Sequence, residues 1–168
     1  MSGNAKGVKP LALLLDTNIW MDIYYPERPG HSCANQLLEL ALNEGIDLHY
    51  CAQSLIDAFY LTQSNQKRLM RAELGEIDEP LALGANEVAW GVIKSICDIG
   101  TPIPITSPML FLATKMKDVH ADFEDDVLIA AAQISNVDYL VTNDQQLLAK
   151  SPVASLSCKD MLGYLRIA

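Results

Sequence analysis

The stretch Leu11–Asp22, LALLLDTNIWMD, decides the fold. A strand buried on one face alternates apolar and polar residues, whereas a strand buried on both faces reads as an unbroken apolar run. Leu11–Leu15 has no polar interruption, and Asp16 ends it. The run therefore predicts a core strand of a parallel sheet. NIWMDIYY, which follows, predicts a helix or turn broken at Pro26 and Pro29.

The rest of the chain alternates in the same way. HSCANQLLELALNEG predicts a helix with Leu37, Leu38, Ala41 and Leu42 on one face and Gly45 as its stop. IDLHYCA predicts the second strand. SLIDAFYLTQSNQKRLMRAEL predicts a helix, with Ser54 as candidate cap and Asp57 in the first turn. After a break at GEIDEP, LALGANEVAWGVIKSICDIG predicts a helix ending at Gly100. TPIPIT suits a short extended segment, and Ser107 followed by Pro108 marks a helix start. DFEDDVLIAAAQIS predicts a helix, VDYLVTND a strand and DQQLLAK a short helix. SPVASLSCKDMLGYL closes with one more short strand and helix. Parallel neighbours need crossover connections, so this alternation predicts helices on both faces. The expected fold is a three-layer α/β/α sandwich around a mostly parallel sheet. With no internal repeat or linker, 11–168 reads as a single domain behind a flexible lead-in over 1–10.

Composition narrows the function classes. Leu11–Leu15 is too short for a signal-peptide core, and no apolar stretch approaches the ~18 residues of a membrane span. A soluble cytoplasmic chain without membrane contact is the expectation. Cys33, Cys51, Cys97 and Cys158 lack CxxC spacing, and His31, His49 and His120 form no ligand pattern; reduced thiols and structural histidines are expected. The net charge of −9 argues against a general grip on nucleic acid. Lys67, Arg68 and Arg71 form one compact basic cluster, readable as a solvated helix face or as a phosphate-contacting patch.

The informative residues are acids at the ends of apolar runs. Asp16 follows LALLL, Asp57 lies in AQSLIDAFYL, Asp125 and Asp126 open DDVLIAAA, and Asp144 follows YLVTN. Strands of an open α/β sheet present their carboxyl ends along one edge, so strand-end acids converge in space. Carboxylates gathered there repel one another unless a hard cation neutralises them. The set predicts a Mg2+ or Mn2+ site that activates water and stabilises a leaving oxygen, chemistry that needs no cysteine, serine or histidine nucleophile. Each acid also has an ordinary reading. Asp16 and Asp144 could cap helices, Asp57 could sit at the positive end of its helix, and the acids of DFEDD could be helix-start charges. Asp22 reads as an outer acid of the site or as a helix-surface charge. Conjunction favours the site.

The flanking residues resemble the motifs of PIN-domain nucleases. LLLDTNIWMD is similar to their opening motif, where an aliphatic strand runs into Asp-Thr/Ser-Asn. AQSLIDAFYL resembles their second motif in a prokaryotic subfamily with aspartate where many members carry glutamate, followed here by Phe59 and Tyr60. DFEDDVLIAAAQISNVDYLVTND resembles the third and fourth motifs together. The resemblance runs from about Leu11 to Lys150, with all motifs in order. It implies an α/β/α sandwich and a magnesium- or manganese-dependent endoribonuclease, often the toxin of a VapBC-type toxin–antitoxin pair. Such toxins usually act as homodimers and are held inactive by a small antitoxin. Carried over, the metal ligands would be Asp16, Asp57, Asp125 or Asp126, and Asp144. Thr17 and Asn18 would support Asp16, while Thr142 and Asn143 would position Asp144. Alignment on DFED selects Asp125, the slightly favoured choice, and alignment on Asp-x-x-Ile-Ala-Ala selects Asp126.

Two other functions compete. A phosphatase of the haloacid-dehalogenase type also places an aspartate after its first strand, but needs a second aspartate where Asn18 stands. A PIN-like scaffold that binds RNA or protein with little turnover fits the acidic balance and the unmarked middle helices.

Overall fold

The computed structural model describes residues 10–117 and 122–167, so the lead-in (Pro10 apart) and His120 lie outside the described residues. β1 (Ala12–Leu15) is the middle strand of a five-stranded sheet. β2 (Asp47–Cys51), β3 (Thr101–Ile103), β4 (Tyr139–Val141) and β5 (Ser155–Leu156) complete it in the order β3-β2-β1-β4-β5. Every pairing is parallel, with Leu14 opposite His49 on one side and Leu140 on the other.

Eight helices connect the strands among the described residues: α1 (Thr17–Tyr24), α2 (His31–Glu44), α3 (Ala52–Leu74), α4 (Glu79–Ile99), α5 (Ser107–Lys115), α6 (Phe123–Ser135), α7 (Gln145–Lys150) and α8 (Cys158–Leu165). None is long and apolar enough to cross a membrane.

The unbroken apolar run of β1 does what its pattern requires. Leu13 and Leu15 enter one core cluster with Trp20, Leu37, Ile96 and Met161, from α1, α2, α4 and α8. Leu14 enters the opposite cluster with Met109, Ile129 and Leu147, from α5, α6 and α7. Each fully buried leucine contributes roughly 1.5–3 kcal/mol relative to exposure. The sheet is thus the middle of three layers, as the alternation predicts.

Several boundaries are set by physics that the pattern does not carry. β2 runs straight into α3 without a loop, with Cys51 in the N-cap position. Ser54 is therefore buried within the first turn rather than capping it, and Asp57 stands in the second turn. Asp78 caps α4, accepting the amide of Leu81 at 3.0 Å. α2 stops at Gly45, whose φ of 66° suits a residue without a Cβ.

The strand order changes direction at β1. The chain builds outward through β2 and β3, then returns to lay β4 on the other side of β1. The crevice at the carboxyl ends of β1 and β4 is the switch point where open parallel sheets bind ligands.

Candidate active site at the sheet edge

Asp16 and Thr142 leave β1 and β4 side by side. The Asp16 amide donates to the Val141 carbonyl at 3.0 Å, and the Thr142 amide to that of Leu156 at 3.1 Å. The Thr142 hydroxyl, fully buried, donates to Asp16 Oδ2 at 2.8 Å and accepts the Asp144 amide at 3.0 Å. One hydroxyl therefore joins two of the predicted acids. Asp16 occupies the N-cap position of α1, but its side chain makes no capping hydrogen bond. Asp144 does cap α7, accepting the Gln146 and Leu147 amides on Oδ1 at 2.7 and 3.0 Å.

The opposite wall comes from helices. Asp57 on α3 and Asp125 on α6 line the same cleft, of about 520 Å³, as Asp16 and Asp144. Thr17 and Asn18 line it too. Glu124 and Asp122, assigned from sequence only as helix-start charges, complete its acidic lining. Asp122 also caps α6 through the Glu124 amide at 2.9 Å.

This concentration of negative charge shows in the acidities. Burial pushes the Asp16 carboxyl above the ordinary carboxylate range, and the charge of Asp144 adds to it; the Thr142 hydroxyl and the nearby amides of Asn18 and Thr17 pull the other way. The Glu124 carboxyl is pushed up to about 7, first by desolvation and then by the charge of Asp57, with which it shares a hydrogen bond. Two carboxyls in one site do not both ionise freely. Among the described residues, Asp57 Oδ2 is buried without a hydrogen-bond partner.

The remaining predicted residues separate. Asp126 is 2% exposed and lies outside the cleft lining, whereas Asp125 is within it. The Asn143 side chain reaches away from Asp144: its Nδ2 donates to Asp22 Oδ2 at 3.4 Å, and its Oδ1 accepts the Cys158 amide at 3.2 Å. It ties the end of β4 to α1 and α8. Asp22 is no surface charge; it is 5% exposed and paired with Arg28 Nε at 2.6 Å. A side chain at Gly30 would run into the Asp22 carboxylate, so glycine permits that close approach. Arg28 Nη2 also donates to Asn18 Oδ1 at 3.1 Å.

Tyr60, singled out in the sequence only as part of the second motif, lines the cleft with Leu61 and Ser64, which sequence reasoning missed. Their spacing from Asp57 (i+3, i+4 and i+7) is the signal that places them on the same face of α3.

The donor set consists of carboxylate oxygens, which suit Mg2+ or Mn2+. The buried Asp57 Oδ2, without a hydrogen-bond partner among the described residues, is an oxygen that such a cation could take. Among the described residues no three His, Cys, Asp or Glu side chains form a ready-made metal cage.

Comparison with known proteins gives a family and a fold. The sequence profile of the PIN domain matches residues 12–146. No curated protein sequence matches significantly. Among solved structures, VapBC2 from Rickettsia felis bound to a DNA fragment from its promoter superposes with a TM-score of 0.62 at 16% identity, over 88% of this chain and 98% of that one. PAE2754 from Pyrobaculum aerophilum superposes with a TM-score of 0.62 at 18% identity, over 96% of this chain and 100% of that one. VapC20 from Mycobacterium tuberculosis, a toxin that cleaves the sarcin–ricin loop, gives 0.53 at 13% identity, over 82% and 93%. At such identities the likeness is one of fold.

Proposed function

This chain belongs to the PIN-domain family, and on that premise we propose that it is a divalent-metal-dependent endoribonuclease of the VapC toxin type. The observation that carries the reading is the cleft itself, where Asp16, Asp57, Asp125 and Asp144 arrive from separate segments at the switch point of the sheet. Their carboxylates, with that of Glu124, would hold Mg2+ or Mn2+. Such an ion lowers the pKa of a bound water and stabilises the leaving oxygen of a phosphodiester. The chain's own part is positioning. Thr142 fixes Asp16 relative to the start of α7, the cap fixes Asp144, and α3 lays Tyr60 and Leu61 along the cleft where unstacked bases could rest.

The toxin reading draws support from structural neighbours described as VapBC complexes and from one described as an RNA-loop-cleaving toxin. It brings a small antitoxin and a second copy of the chain as partners, in the cytoplasm. Exposed Ile56 and Trp90 beside Phe59 give α3 and α4 an apolar outer face suited to protein contact.

The test is cleavage of single-stranded and structured RNA with Mg2+ or Mn2+ by the wild type, Asp16→Asn and Asp144→Asn. Cutting that requires metal and falls at least about a hundredfold in each variant, on the scale of losing one electrostatic group in a water-excluded site, is expected. Metal-dependent cutting unchanged in both variants would reject the assignment.

A further inference from the structure

The acidic cleft does not end at its own rim. Leu61 and Ser64 on α3 line both it and a second groove of about 330 Å³, whose lining also includes Arg28 and Arg68. Asp57, Leu61, Ser64 and Arg68 stand at i, i+4, i+7 and i+11, so one face of one helix forms the continuous wall. Eleven residues at the helical rise separate the acid from the arginine by about 16 Å, room for a short run of nucleotides.

The two arginines are held differently. Arg28 is pinned by the buried Asp22 and by Asn18, so its charge is largely spoken for. Arg68 is exposed and, among the described residues, donates only to the neutral side-chain oxygen of Asn65, at 2.8 Å. Asn65 in turn donates to Glu27 Oε1 at 2.9 Å, which sets one carboxylate near the groove. Lys67 and Arg71, the other members of the basic cluster, are not part of its lining. A guanidinium with unused donors offers a fork matched to phosphate oxygens.

We propose that this groove carries the RNA strand away from the acidic cleft, with Arg68 binding a backbone phosphate and Glu27 weakening that hold. The proposal rests on the ribonuclease reading and assigns a track to the substrate of the same site. The chain carries −9 overall and its cleft is lined by acids, so each nucleotide adds a charge that the surroundings repel. Arg68, only partly offset by Glu27, is where along the wall that repulsion is relieved.

The experiment uses a fluorescent single-stranded RNA with the full chain, its wild type compared with Arg68→Gln, Arg68→Lys and Glu27→Gln. Binding in EDTA is followed across a salt series, and steady-state cleavage is measured in Mn2+. Arg68→Gln is expected to weaken binding about fivefold to tenfold and to flatten the log–log salt dependence by about 0.7, the value for one phosphate contact on a single strand. KM should rise by a similar factor with kcat unchanged. Arg68→Lys should keep the salt dependence, and Glu27→Gln should tighten binding about twofold to threefold by removing one exposed like charge. If the wild type cuts RNA while Arg68→Gln leaves affinity, KM and salt dependence unchanged, the track is wrong and the ribonuclease reading stands. If Arg68→Gln binds RNA normally but loses a protein partner, the groove belongs to that partner. If the wild type neither binds nor cuts RNA, both readings fall.

Discussion

Asp16 and Asp144 reach the cleft from strand ends, whereas Asp57, Glu124 and Asp125 reach it from helices, and the two walls differ in almost everything except their chemistry. The strand wall is locked: the Asp16 amide pairs with Val141, that of Thr142 with Leu156, and the Thr142 hydroxyl bridges both acids. The helix wall is loose. Glu124 is exposed, Asp57 and Asp125 are half-buried, and Asp57 Oδ2 has no hydrogen-bond partner among the described residues. Preorganisation thus resides on one side of the site, while the opposite side carries like charges that a cation would neutralise.

The sharpest way to break this comparison is to exchange the fates of neighbouring residues on the helix wall. Asp125→Asn should lower kcat at least about a hundredfold, on the scale of losing one electrostatic group in the site, with thermal stability unchanged. Asp126→Asn alters a carboxyl that is 2% exposed. It should cost roughly 1–3 kcal/mol of folding stability, the range for disturbing a buried polar group, while activity per folded molecule is kept. Urea unfolding and single-turnover cleavage, measured on the same samples, separate the two outcomes. The reverse pattern would hand the metal-facing place to Asp126.

A smaller effect is expected on the strand wall. Thr142→Val keeps the shape of a fully buried side chain but removes the hydroxyl that serves Asp16 and the Asp144 amide. Leaving those groups unsatisfied should cost roughly 1–3 kcal/mol, measured by urea unfolding. The metal concentration at half-maximal cleavage should rise as Asp16 loses its donor. A variant as stable as the wild type, with the same metal dependence, would show that the sheet alone positions these acids.

The asymmetry between the walls explains what was legible in the sequence. A strand-end acid announces itself, because the apolar run stops where the sheet stops; Leu11–Leu15 before Asp16 and Tyr139–Val141 before Thr142 needed only that rule. The three-layer fold follows from the same runs. A helix-borne acid is legible only if the helical phase is known. Asp126 and the six residues Val127–Ala132 are all buried, so α6 shows no polar stripe from which to choose between neighbours about 100° apart. Glu124 was harder still. Its significance depends on its hydrogen bond to Asp57, a residue 67 positions away on α3. No local spacing encodes that pairing.

The least of these effects tests whether the helix wall is strained by charge. The folded-state Glu124 carboxyl is raised to about 7 from an ordinary value of 4.5, so the folded protein takes up a proton that the unfolded chain does not. Its contribution to stability is fully present below about 4.5 and is lost as pH rises through 7. Asp16, also raised, acts with the same sign. Glu27 is lowered, so its contribution is lost only as pH falls below the ordinary glutamate value, outside the window of interest. The melting temperature of EDTA-treated protein should therefore rise as pH is brought from 8 to 6, by more in the wild type than in Glu124→Gln. Saturating Mg2+ should flatten the difference, because a bound cation supplies the charge that the proton otherwise brings. Equal pH dependence in the two proteins would mean that neither burial nor the charge of Asp57 raises the Glu124 carboxyl on folding.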